Sequence, residues 1–295
     1  MPRLCDRIGV IGNGFVGRAI ARGFMEHCVE VRIHDVMPER STHTLVETLA
    51  CDWIFVCVPT PSGPDGRCDT SIIEKVIGDA WCQRIEAGGG RLVIKSTVPV
   101  GFTRRMHEQY GTENKRGLPL TLLHSPEFLT QRCALVDFQT PARNIVGVPC
   151  GYLYVGPNCE PYCAAVDLAI LYESRFPGVP CIRMSSDESE LVKLAQNGFF
   201  ATKVAYFNAI YQLAQATGCD FEAVRAGMLA DGRIAHAHTE VPGPSGELGF
   251  GGACLSKDLQ SLSRCIDDHQ RHAAAGMLEK VLSFNAFVRE LRPGE

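Results

Sequence analysis

No stretch of this 295-residue chain approaches the roughly 18 consecutive apolar residues that a membrane-spanning helix needs. Its amino end, MPRLCDRIGVIG, lacks an apolar core followed by a small-residue cleavage site, so no secretory leader is expected. Clusters of Lys and Arg are missing too, and the net charge is −4. That argues against a nucleic-acid or membrane-surface partner. No two of the 14 cysteines have the CxxC spacing of a structural metal site. They are scattered through apolar segments, which suits free, buried thiols in a reducing cytoplasm. Internal repeats and low-complexity tracts are absent. With 45% hydrophobic and 21% charged residues, the composition is that of a soluble chain long enough for one large or two ordinary domains. No metal is expected.

What is present begins at residue 7. RIGVIG is a short β-branched run. Gly12-Asn13-Gly14-Phe15-Val16-Gly17 follows, then a helical pattern to about His27, then VEVRIH over 29–34, ending at Asp35. Strand, G-x-G-x-x-G, helix, strand and acid in this order form a dinucleotide-binding arrangement. Gly12 makes the turn, Gly14 admits a pyrophosphate to the helix N-terminus, and Gly17 lets helix and strand pack closely. Asp35 is placed for the ribose hydroxyls and favours NAD over NADP. Arg40 is a mild counter-signal that would otherwise cover the adenine.

Strand and helix patterns go on alternating. DWIFVCV (52–58), RLVIKST (91–97), PLTLLHS (119–125) and NIVGV (144–148) read as strands, with helices from about Thr70 to Glu86 and from about Gly101. Such alternation implies an α/β, Rossmann-like, doubly wound parallel sheet. Ligands bind beyond the carboxyl ends of its strands. Pro59-Thr60-Pro61, Ser96-Thr97 and Glu127 lie there.

Beyond about residue 180 the pattern turns helical. From Ser185 to Thr217 runs a long helix, capped by Ser185 or Ser186 and apolar on most faces. A helix apolar all round is usually buried, so a partner subunit is its natural cover. Lys193 and Asn197 are four apart and share a face. Such a pair is commonly solvated, although its neighbours are apolar. A shorter helix (220–229) follows, and the segment from about Leu255 to Arg292 reads as helical with weak breaks.

In between lies GFGGACLSKD (249–258). Its glycines allow φ > 0 and close approach to a ligand. Cys254 stands at the mouth of a helix, where a thiolate is favoured, and Lys257-Asp258 follow within about one turn. A nucleophile with acid–base equipment fits these parts, as does a glycine loop holding one more buried cysteine. Oxidising an alcohol needs a base, which Asp258 through water or Lys193 would supply. Lys193 and Asn197 would also stabilise an oxyanion. A resulting aldehyde must first take a nucleophile. Cys254 would form a thiohemiacetal and then a thioester, hydrolysed by water that Glu127 or Asp258 activates.

The ordered motifs GVIGNGFVG, IFVCVPTPSGPDGRCD, VIKSTVPVG, SPEFL, LVKLAQNGFFATKVAYFN, DGRI and GFGGACLSKD together resemble the UDP-glucose/GDP-mannose dehydrogenase family, its UDP-glucose-oxidising branch most of all. The resemblance implies oxidation of the C6 alcohol of a nucleotide sugar to the carboxylate with two NAD. Cys254 would be the nucleophile, with Lys193, Asn197 and Asp258 around the reacting carbon. Thr97 and Glu127 would position water and the nicotinamide ribose. Gly12, Gly14, Phe15, Val16, Gly17, Asp35, Arg40, Pro59, Thr60, Ser96 and Thr97 would hold NAD. Lys193, Asn197, Phe250, Gly251 and Lys257 would contact the sugar nucleotide, and Arg233 would reach it across a dimer interface.

By the same resemblance, residues 1–183 form the NAD-binding domain and 184–295 a helical central domain that dimerises through the 185–217 helix. The family's carboxyl-terminal nucleotide-binding domain is expected to be absent, or supplied by a separate chain. Departures from the family pattern are a longer, Pro/Gly-rich loop before Cys254, Ser125 at the head of SPEFL, Gln131 where an acid is usual, and Leu255-Ser256 before the Lys-Asp pair. Two alternatives remain open: the same chemistry on a different alcohol, and an inactive NAD-binding partner subunit.

Overall fold

The computed structural model describes residues 7–25, 30–87, 91–111, 120–130, 133–149 and 159–291. The chain divides into two compact units, one of residues 1–61 and 69–193, the other of 62–68 and 194–295. Gln131, the Gly88–Gly90 loop and the last turn of the helix read to His27 lie outside the described residues.

The first unit is built on a sheet of β1 (Arg7–Ile11), β2 (Glu30–His34), β3 (Trp53–Val56), β4 (Arg91–Ile94), β5 (Thr121–His124), β6 (Asn144–Val148) and β7 (Cys181–Ser185). Their spatial order is β2-β1-β3-β4-β5-β6-β7. Neighbours among the first five run parallel. The expected parallel sheet fails at one seam. β5 meets β6 antiparallel, with His124 opposite Gly147, and β6 and β7 then run parallel to each other.

Helices α1 (Phe15–Met25), α2 (Leu45–Leu49), α3 (Ser71–Ala87), α4 (Phe102–Tyr110), α5 (Ala134–Gln139) and α6 (Glu160–Arg175) belong to this unit. β3 and β5 are buried along their whole length, which is why they read as unbroken apolar runs. Successive side chains on a strand point to opposite faces. Phe55, Val93 and Leu123 therefore join the cluster of Ile8, Phe24 and Tyr172. Ile54, Val56, Leu92 and Leu122 join Ile77 and Phe102 in the other. These two cores make the sheet doubly wound.

Helix α7 (Ser186–Thr217) leads from the first unit into the second. Ser185 and Glu188 cap it reciprocally: Glu188 Oε2 accepts from the Ser185 N–H at 2.8 Å, and Ser185 Oγ accepts from the Glu188 N–H at 3.2 Å. The second unit adds α8 (Phe221–Leu229), α9 (Ala253–Asp268) and α10 (His272–Glu290). The expected helical segment from Leu255 is thus two helices, separated at Gln270, whose φ is 59°. Phe207, Phe221, Val241, Leu248 and Val288 form the core of this unit. The hairpin tip Ser62–Cys68 belongs to it as well. Arg67 pairs with Asp268 of α9, and Arg264 donates to the Asp65 carbonyl at 2.9 Å.

The cysteine expectation needs correction. Among the eleven cysteines within the described residues only Cys51 is buried, and Cys82, Cys133, Cys163, Cys219 and Cys254 are exposed. No described helix is long and apolar enough to cross a membrane.

Candidate active site

In the first unit the G-x-G-x-x-G loop leaves the carboxyl end of β1. Each glycine meets a different constraint. Gly12 has φ +92°, and a Cβ there would lie 2.6 Å from the Cys57 carbonyl oxygen. A Cβ on Gly17 would lie 1.8 Å from the Gly12 carbonyl oxygen, so only glycine lets α1 return this close to its own turn. At Gly14 a Cβ would meet no atom within 4 Å, which leaves the backbone N–H groups at the start of α1 approachable. Phe15 and Val16 open that helix.

Asp35 stands just past β2. Its carboxylate accepts from the Asn13 N–H at 2.6 Å and the Met37 N–H at 2.9 Å, tying the end of β2 to the glycine loop. Arg40 is exposed at the end of a 3₁₀ turn (Pro38–Arg40), and its carbonyl accepts from Asn13 Nδ2 at 2.7 Å. This loop, with its open Gly14 and an acid one strand away, fits a dinucleotide.

β3 and β4 stop short of the runs read as strands, and the residues beyond them form loops. Two side-chain bonds couple those loops: Thr60 Oγ1 donates to the Thr97 carbonyl at 2.7 Å, and Ser96 Oγ donates to the Val58 carbonyl at 2.7 Å. Pro59, Thr60, Ser96 and Thr97 are thus brought together past the carboxyl ends of adjacent strands.

Beyond β5, Glu127 and Lys193 meet. Lys193 Nζ lies 3.1 Å from Glu127 Oε1, with side chains 6% and 12% exposed. The other carboxylate oxygen of Glu127 accepts from the Leu129 N–H at 2.6 Å. Lys193 is therefore buried, not solvated, and it also sits 5.6 Å from the Phe128 ring centroid. Such a pair holds only if both charges stay matched.

Sequence reasoning missed two neighbours of this pair. Lys95 is 8% exposed, and its Nζ donates to the Pro126 carbonyl at 3.2 Å and to Ser125 Oγ at 3.4 Å. Burial pushes its pKa down to about 8. His124 is fully buried, with Nδ1 2.8 Å from Ser189 Oγ, and burial pushes its pKa down to about 3. A lysine inside the apolar run RLVIKST was the available signal for Lys95.

In the second unit, Asp258 is 1% exposed and has both oxygens engaged. Asn197 Nδ2 donates to Oδ2 at 2.6 Å, and Lys257 Nζ donates to Oδ1 at 2.6 Å. Cys254 is exposed in the first turn of α9, four residues before Asp258, so the two share a helix face. Phe250 is buried and Gly251 exposed in the loop before it. Arg233 stands apart. Its side chain is 88% exposed, and its Nη2 donates to Asp231 at 2.6 Å.

Two family profiles match the chain: "UDP-glucose/GDP-mannose dehydrogenase family, NAD binding domain" over residues 39–150, and the same family's central domain over residues 187–286. The chain is 31% identical to a UDP-glucose 6-dehydrogenase of Pseudomonas aeruginosa, over 97% of this chain and 66% of that protein. It is 29% identical to the UDP-glucose 6-dehydrogenase of Gallus gallus, over 81% of this chain and 46% of that protein. The chain thus spans about half to two thirds of the length of these relatives. Among solved structures, a UDP-glucose dehydrogenase from the archaeon Pyrobaculum islandicum superposes with a TM-score of 0.81 at 27% identity, covering 97% of this chain and 70% of that one.

Proposed function

The chain belongs to the UDP-glucose/GDP-mannose dehydrogenase family, and from that premise we propose that it is an NAD-dependent dehydrogenase converting the C6 alcohol of UDP-glucose to the carboxylate. One observation carries the reading. Cys254 shares a face of α9 with an aspartate whose two oxygens are gripped by Asn197 and Lys257. A thiol kept merely for packing would have no use for that arrangement.

NAD, when bound, supplies the hydride acceptor for both oxidations. Gly12, Gly14, Phe15, Val16 and Gly17 would hold its pyrophosphate and Asp35 its adenosine ribose. Arg40 would lie beside the adenine, and Pro59, Thr60, Ser96 and Thr97 would border the nicotinamide side. In the first oxidation Asp258, through water, takes the hydroxyl proton, and the Lys193 ammonium and Asn197 amide stabilise the oxygen. In the second, the Cys254 sulfur bonds to the aldehyde carbon and the thiol proton leaves to solvent. Loss of hydride turns the thiohemiacetal into a thioester. Water, which Glu127 and Thr97 would hold, adds to it and the C–S bond breaks; one water proton returns to the sulfur, the other leaves to solvent, and the carboxylate departs with the thiol restored. Each acid–base group of this kind is worth about 10²–10⁴ in rate.

Phe250, Gly251 and Lys257 would contact the sugar nucleotide, with Arg233 reaching it from a second subunit. The exposed, solvent-facing position of Arg233 accords with that role. So does a row on α7 of Leu191, Phe199, Tyr206 and Leu213, 46–64% exposed and seven or eight residues apart. That spacing makes one apolar face, suited to a homodimer through the 185–217 helix.

The test is the NADH released per molecule of UDP-glucose. Two are expected from the wild-type chain, and Cys254→Ser should make no carboxylate and release the aldehyde or stall before it. Full two-step turnover by that variant would sink the thioester route. Absence of NADH with UDP-glucose, but release with another sugar nucleotide, would move the substrate and keep the chemistry.

A further inference from the structure

The loop that delivers Cys254 is held from two directions. Asn208, on α7, accepts the Gly249 N–H on its Oδ1 at 2.8 Å, while its Nδ2 donates to the Val204 carbonyl at 2.8 Å. Asn285, on α10, accepts the Phe250 N–H on its Oδ1 at 2.7 Å and returns its own Nδ2 to the Phe250 carbonyl at 3.0 Å. Both side chains belong to buried residues, 2% and 6% exposed. The two amides lie 41 and 35 residues from the peptide groups they grip.

Little else in the loop can give. Gly249 has φ +70°, and a Cβ on it would sit 2.5 Å from Asn285 Oδ1. A Cβ on Gly251 would sit 2.8 Å from Arg289 Nη1, and Arg289 is itself bonded to Glu247 at 3.2 Å. Leu248 and Phe250 are each 3% exposed. Gly252 then caps α9, and Cys254 is the second residue of that helix. Packing alone would be served by apolar side chains at 208 and 285. Burying two amides is favourable only when their hydrogen bonds are made, and here they are spent on two consecutive main-chain N–H groups.

We propose that Asn208 and Asn285 are positioning residues, which together fix the 249–252 loop and so set the direction in which the Cys254 thiol is presented. This rests on the reading of Cys254 as the nucleophile. Its consequence is selective. Loosening the clamp impairs the step that needs sulfur, the second oxidation, more than the first.

The experiment compares wild type with Asn285→Asp and Asn208→Ala. Asn285→Asp is nearly isosteric. It keeps an acceptor for the Phe250 N–H and removes the donor to the Phe250 carbonyl. Amide hydrogen exchange at 249–250 should quicken roughly tenfold, as the loss of one buried hydrogen bond implies. NADH per UDP-glucose should fall from two toward one as aldehyde escapes, with NAD affinity unchanged. Unchanged exchange in a folded variant overturns the clamp. Quickened exchange with a full yield of two overturns its role in the second step. If the wild-type chain turns over no sugar nucleotide, the functional reading has failed, and the inference is then decided by the alkylation rate of Cys254 measured peptide by peptide. A changed rate in the variants supports it, and an unchanged rate overturns it.

Discussion

Among the described residues two glycine loops, Gly12–Gly17 and Gly249–Gly252, each open a helix, and they are secured by opposite means. At Gly12–Gly17 main chain packs on main chain: the Gly12 carbonyl against Gly17, and the Cys57 carbonyl against Gly12. At Gly249–Gly252 side chains do the holding, Asn208 and Asn285 from two helices. The first loop is made by its own local sequence plus the adjoining parallel strand. The second depends on residues far along the chain. A rigid main-chain cradle suits a cofactor with a fixed pyrophosphate. A loop tuned by distant side chains suits a single thiol that must be aimed.

The first unit also buries ionisable groups at the ends of its strands. There lies the largest expected effect. In the fold His124 titrates near 3, against 6.5 for the exposed side chain. The folded state therefore keeps it neutral, while the unfolded chain binds a proton below 6.5. Stability is fully present above 6.5 and falls as the pH drops toward 3, by up to about 4 kcal/mol. His124→Asn keeps a partner for Ser189 and removes the titration. Denaturant unfolding across this range should show a much flatter acid limb in the variant; an identical limb would mean that His124 is not the group.

Next comes Gly17→Ala. Its Cβ has no room beside a main-chain carbonyl, so about 3 kcal/mol or more should be lost, and NAD binding with it. Calorimetric NAD titration and thermal melting would read both. The matching change in the other loop, Gly249→Ala, costs about 1–2 kcal/mol for the left-handed backbone and more for the crowded Asn285. It should spare NAD affinity and depress carboxylate formation. Equal loss of NAD affinity in the two variants would erase the contrast between the loops. The smallest stability effect is at Gly14→Ala, where nothing crowds the new methyl group. Stability should move by no more than about 0.5 kcal/mol, while NAD affinity should fall, because on the proposed reading the methyl group would intrude where the pyrophosphate approaches.

Much of this was legible in the residues. β1, the glycines and Asp35 announced themselves because turn, helix and strand follow within one short segment, each with a local rule. α7 was visible from its length and its Ser185 cap. β7 was not, because it is a short edge strand, CIRMS, only partly buried and paired with β6 alone. α6 was missed as well, since apolar residues are spread around it without a sharp stripe. The reversal at β5–β6 rests on one registered pair, His124 with Gly147, which no local pattern encodes.

The candidate site divides the same way. Glycines, an acid after a strand, and a cysteine before Lys-Asp are residue types whose chemistry can be read in place, and the sequence by itself determined that they were there and in what order. Only the tertiary structure decided their surroundings: that Lys193 is buried against Glu127, that Asp258 spends both oxygens on Asn197 and Lys257, and that Lys95 and His124 lose their ordinary titration range. It also decided that two distant asparagines hold the loop before Cys254. The physical reason is common to all of these. Turn and helix propensities are local, whereas burial and hydrogen-bond partners are set by segments that meet only after the chain has folded.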